Sequence, residues 1–91
     1  MGYLRKDTMN IETIQQRVKD VIAAVFLMEP VDIGPEFSIE TIEQWDSLQH
    51  VNMMMALEQE FGIRIDVEDA VEMTSFPAVC KTLTCYLGDA E

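Results

Sequence analysis

The sequence is poor in basic residues, in cysteine and in long apolar runs, and each shortage closes off a class of function. Six lysines and arginines face 17 acidic residues, giving a net charge of −11. A surface this acidic repels nucleic acid and anionic membrane, and it steers the chain toward basic patches on other proteins. The only cysteines, Cys80 and Cys85, stand five apart in a helical segment. That spacing puts them about 140° apart around the axis, which excludes a bridge between them and a metal pair. They read as small buried or half-buried residues of a reduced, cytosolic protein. No apolar run approaches the ~18–20 residues needed to span a bilayer. The opening stretch, Met1 to Asp7, lacks the apolar core of a signal peptide. No internal repeat or low-complexity segment is present.

What remains is enough for one domain with one modest core: 91 residues, 48% of them hydrophobic. The expected layout is a flexible lead over 1–8, a helical domain over 9–88 and a tail over 89–91. A first helix is expected from a cap at Thr8 or Asn10 to about Leu27. Ile11, Ile14, Val18, Val21, Ile22, Val25 and Phe26 recur at three- and four-residue steps and predict its buried face, with Arg17, Lys19 and Asp20 on the wet side. In residues 28–45, Pro30, Gly34 and Pro35 forbid a continuous helix. Val31, Ile33, Phe37, Ile39, Ile42 and Trp45 nevertheless predict an ordered loop laid across the helix ends, with a helical turn near 39–43. Long ordered loops in compact domains are often functional.

A second helix is expected over Ser47–Phe61. Asp46 suits its N-cap, and Gln49 is placed to reach back in a capping box. Ser47 then falls in the first turn, among unpaired amides at the positive end of the helix dipole, where an attached anion is favoured. This helix carries two apolar stripes. Met53, Met54, Leu57 and Phe61 are assigned to the core. Leu48, Val51 and Met55 form a second strip beside Ser47 and Glu58, which predicts an exposed docking patch. Gly62 is expected as a left-handed cap, followed by extended Ile63-Arg64-Ile65. Asp66 is expected to cap a short helix reaching Met73, with acids in its first turn. Ser75 caps a last helix with Pro77 in its first turn, Phe76, Val79, Cys80, Leu83, Tyr86 and Leu87 on its buried face, and Gly88 as its stop. The fold class is all-α, three main helices and one short one, with a long loop between the first two.

Two chemical readings compete on the residues alone. Asp46, Ser47 and His50 contain the groups of a serine hydrolase. However, Asp46 is committed to its cap, and neither a Gly-x-Ser-x-Gly elbow nor an oxyanion loop is present. His50 is expected to pack against the long loop, so no catalytic residue is assigned. The loop Asp32 to Glu43 has acids at its positions 1, 5, 9 and 12 (Asp32, Glu36, Glu40 and Glu43), as a calcium loop would. Phe37 replaces the glycine needed for its turn, Gly34 removes a ligand and Pro35 intrudes. An acidic EF-hand-like calcium protein stays as the alternative of another class, and no metal ligand is assigned.

The run Asp46-Ser47-Leu48, with Val51, Ala56-Leu57-Glu58-Gln59-Glu60-Phe61-Gly62-Ile63 and Ile65, resembles the signature of the acyl carrier protein family. The likeness runs without gaps from about Trp45 to the end of the chain. It implies a four-helix carrier bundle that is not an enzyme, with 4′-phosphopantetheine joined to Ser47 by a phosphopantetheinyl transferase. Acyl groups would ride on the arm as thioesters, with Asp46 and Leu48 taking part in recognition. Acidic Glu58, Asp66, Glu68, Asp69 and Glu72 would meet basic patches on partner enzymes, with Val51 and Met55 as apolar contacts. The implied protein is monomeric, free-standing and cytoplasmic, without nucleic-acid or membrane partners. Gln44-Trp45 before the motif, and Gln49 and Asn52 where general fatty-acid carriers have acids, point to a specialised fatty-acid, polyketide or modified-lipid pathway. Aminoacyl or peptidyl carriage is the alternative within the family.

Overall fold

A single side chain opens the first helix. Asn10 Oδ1 accepts the Thr13 amide at 2.8 Å, and α1 runs Ile11–Phe26 from that cap. The computed structural model describes residues 10–87. The expected lead over 1–8, the alternative cap Thr8, the stop at Gly88 and the tail over 89–91 therefore lie outside the described residues. Leu27 ends α1 in the left-handed region at φ 59°, and the Met28 amide closes back on the Ala23 carbonyl at 2.9 Å. A 3-10 turn at Pro30–Asp32 follows. Then come α2 over Ser47–Phe61, α3 over Val67–Glu72 and α4 over Phe76–Leu87. The described residues contain no strand beyond an isolated antiparallel bridge between Ser38 and Ser75.

The core is built from the stripes that the spacing predicts. Ile14, Val18, Ile22, Met53, Leu57, Val79 and Leu83 are buried where α1, α2 and α4 meet. Ala23 joins them from α1, and Val25 is half-buried at the edge. Ile11 departs from the expected face: it is exposed and lines a surface groove with Pro35, Phe76, Pro77 and Cys80. It sits in the first turn of α1, and complete burial starts one turn later, at Ile14. On the opposite side, Arg17 and Lys19 are half-buried rather than fully wet. The Arg17 guanidinium donates to Glu60 and lies 5.1 Å from the centre of the Phe61 ring, which fastens α1 to the end of α2. The Lys19 ammonium stands 5.7 Å over the Phe76 ring.

The long loop is ordered by the residues that its apolar content predicts. Ile33, Phe37 and Trp45 are buried, while Val31 and Ile39 point out. Ile42 and Thr41 both close on the Ser38 carbonyl, at 2.9 and 3.0 Å, forming the expected helical turn one residue early. Phe76 N donates to Phe37 O and Ile39 N to Thr74 O, so the loop is stitched to the start of α4. Ser75 Oγ accepts the Ala78 amide at 3.1 Å, the cap expected of it. Of the face predicted for α4, Phe76, Val79, Cys80 and Leu83 are buried, and Tyr86 and Leu87 only half so.

Candidate functional site

Ser47 is the first residue of α2, and its position follows from the cap before it. Asp46 is extended, with φ −103° and ψ −172°, and its Oδ1 accepts the Gln49 amide at 2.9 Å. That satisfies the third amide of the first turn and leaves the Ser47 and Leu48 amides without an acceptor among the described residues. Ser47 and Asp46 are exposed. The predicted capping box does not close. Gln49 instead donates its side-chain amide to the Val25 carbonyl at 3.3 Å, because the C-terminal end of α1 packs within its reach. An exposed hydroxyl at a helix N-terminus with free amides suits a phosphate ester, whose charge the dipole favours.

Beside Ser47 the predicted second stripe is open. Leu48, Val51 and Met55 are 68%, 52% and 59% exposed, while Met53, Met54 and Leu57 are buried behind them. Two stripes on one helix therefore divide between core and surface, rather than both being covered. Val67 and Val71 of α3 add exposed apolar area that the residue pattern did not single out.

His50 makes its bonds away from Ser47. Its Nδ1 accepts the Trp45 indole N–H at 3.1 Å, and its Nε2 lies 2.8 Å from the Ala70 carbonyl. An acceptor at Nδ1 and a donor at Nε2 describe the neutral Nε2–H tautomer. Both nitrogens are engaged away from Ser47, and Asp46 is engaged with Gln49, so the three groups form no relay. The expected contact of His50 with the long loop is the Trp45 pair, whose rings stack at 6.1 Å and 22°. The link to α3 was not legible in the sequence. Trp45 itself is buried against Phe26 and Phe37, with ring centroids 5.6 and 5.4 Å away.

The acids expected on a partner face are not equivalent. Asp66, Glu68 and Glu72 are exposed. Asp66 sits at the N-cap position of α3 but makes no side-chain cap bond, against expectation. Its backbone amide donates to the Tyr86 hydroxyl at 3.0 Å. Tyr86 in turn donates to Asp69 at 2.6 Å, and that bond to the carboxylate pushes the phenol above its ordinary pKa. Glu58 accepts the Ile65 amide at 2.8 Å, holding the extended segment after Gly62. Glu58 and Asp69 are thus half-buried structural ties, with only part of their charge turned outward. The acids of the 32–43 loop do not converge: the described residues hold no group of three or more His, Cys, Asp or Glu that could bind a metal ion.

Comparison with known proteins agrees with this geometry. The family model described as the phosphopantetheine attachment site matches residues 16–83, which spans α2 entirely and most of α1 and α4. The chain is also similar to an acyl carrier protein of Thermosynechococcus vestitus, with 37% identity over 65 residues, covering 71% of this chain and 80% of that relative. No helix among the described residues is long and apolar enough to cross a membrane. With three-quarters of its length matched, and with the helical architecture that such carriers have, the chain belongs to the acyl carrier protein family, whose cofactor is 4′-phosphopantetheine.

Proposed function

We propose that Ser47 is the residue that receives 4′-phosphopantetheine, and that the protein carries acyl intermediates as thioesters on that arm. The observation that carries this reading is the exposed Ser47 hydroxyl at the start of α2, with two free amides beside it and an apolar strip alongside. The arm supplies the thiol. The chain's own residues present the serine, favour the charge of the phosphodiester and meet the enzymes. Leu48, Val51 and Met55 form the apolar contact. Asp66, Glu68 and Glu72 steer basic partner surfaces toward it, favouring fast and reversible encounter. A phosphopantetheinyl transferase and then acyl-loading, elongating or transferring enzymes are the partners. The loss of acids at Gln49 and Asn52 favours a specialised fatty-acid, polyketide or modified-lipid pathway over a housekeeping role. The two free thiols, Cys80 and Cys85, favour the cytoplasm as the compartment.

Intact-protein mass spectrometry after incubation with coenzyme A and a broad-specificity phosphopantetheinyl transferase tests the assignment. The expected result is one added phosphopantetheine, mapped to Ser47 and absent from a folded Ser47→Ala variant. Label that persists in Ser47→Ala, or a folded wild type that gains no mass, overturns it.

A further inference from the structure

The short helix α3 has no buried residue, and it leaves Val67 and Val71 exposed. A six-residue helix is too short to stand by itself, and this one has little apolar surface with which to hold its place. Ala70 rests on the core and Met73, at the C-cap, is buried, and the other attachments of the helix are polar. On the α4 side, Tyr86 joins the Asp66 amide to the Asp69 carboxylate. On the α2 side, His50 meets the Ala70 carbonyl at 2.8 Å from a position one turn beyond Ser47. The imidazole is itself held: Trp45, 3% exposed and packed on Phe26 and Phe37, donates its indole N–H to Nδ1. A rigid aromatic cluster thereby fixes the tautomer whose other nitrogen reaches α3.

We infer that His50 is a positioning residue, which ties α3 to the first turns of α2 and so sets where Glu68 and Glu72 stand relative to Ser47. The inference rests on reading Ser47 as the attachment residue. A transferase that grips the acids of α3 must hold Ser47 in its active centre at the same time. With α3 tied, that spacing is present before the encounter. With the tie cut, ordering α3 becomes part of the cost of docking. His50 touches no reacting atom, so the effect falls on KM and leaves kcat alone.

Three substitutions separate this role from general support of the fold. In His50→Gln the side-chain amide takes the place of Nε2 and keeps the bond to Ala70. In His50→Asn the carbonyl takes the place of Nδ1, keeping the Trp45 bond and losing α3. His50→Met, which suits a helix and makes neither bond, is a second variant for the cut tie. The readouts are transferase kinetics with coenzyme A and amide hydrogen exchange across residues 67–72, both below the melting temperature. We expect KM to stay within about twofold of wild type in His50→Gln and to rise about fivefold in His50→Asn and His50→Met, the scale of one intramolecular hydrogen bond. Exchange in α3 should quicken in Asn and Met but not in Gln. Equal KM values and equal α3 exchange in Gln and Asn overturn the inference. A wild type that takes no phosphopantetheine overturns the reading of Ser47, while the exchange comparison still decides the tie.

Discussion

Met53 and Met55 lie two residues apart on α2 and should respond to the same substitution in opposite ways. Met53 is fully buried and Met55 is 59% exposed. Replacing Met53 by Ala removes fully buried side-chain atoms and leaves a cavity in the core, at a cost of about 2–5 kcal/mol. A domain of this size has only about 5–15 kcal/mol in total. At about 4–8 °C per kcal/mol, the melting temperature should fall by at least ~8 °C. Met55→Ala takes away atoms already largely in water, and a surface change of that kind stays within about 0.5 kcal/mol. Its consequence should appear in docking. Met55→Asp should keep the melting temperature within a few degrees while slowing phosphopantetheine transfer, because a charge enters the apolar contact beside Ser47. Thermal unfolding followed by circular dichroism, with mass-spectrometric transfer rates on the same samples, reads both effects. If Met55→Ala destabilises as much as Met53→Ala, the second stripe is core and the docking face is misplaced. If Met55→Asp is modified at the wild-type rate, Met55 does not meet the transferase.

Gly62→Ala should cost only the backbone strain of its left-handed conformation, about 1 kcal/mol, because φ is +65° and nothing lies within 4 Å of an added Cβ; a loss of several kcal/mol in denaturant titration would contradict that. The Cys80 thiol is pushed up by burial from 9.0 to about 11, with Lys19 opposing in part. Because its folded pKa lies above the unfolded one, its contribution is intact below about pH 9 and is lost as the pH rises toward 11. Tyr86, also shifted upward, should add to the alkaline loss. Alkaline melting curves should therefore be less steep in pH for Cys80→Ala than for wild type, and identical slopes would show that Cys80 ionises without regard to the fold.

Much of the site was legible locally. An extended Asp before a serine, an amide three residues on, and apolar residues at helical steps are features within one or two turns. They located α2 at Ser47–Phe61, its cap, its glycine stop and its two stripes, and the structure agrees on each except that Phe61, assigned to the core, is half-buried. The same holds for the Asn10 and Ser75 caps, which bond to amides three residues away. Where the capping box failed, a local partner was in competition with a distant one. Gln49 had its own helix start within reach, and its side-chain amide took the Val25 carbonyl.

The acidic composition, the helical periods and the serine at a helix start belong to the chain itself, because charge, caps and apolar steps act over a few residues. Tertiary structure alone decided which polar groups meet. His50 finds Ala70 twenty residues on, Tyr86 finds Asp69 seventeen residues back, and Arg17 finds Glu60 across 43 residues. No periodic pattern marks such pairs, since each needs only one donor and one acceptor brought together by packing elsewhere. For that reason the sequence named the acids of the docking face, and only the fold determined that Glu58 and Asp69 are tied inward while Asp66, Glu68 and Glu72 stand exposed.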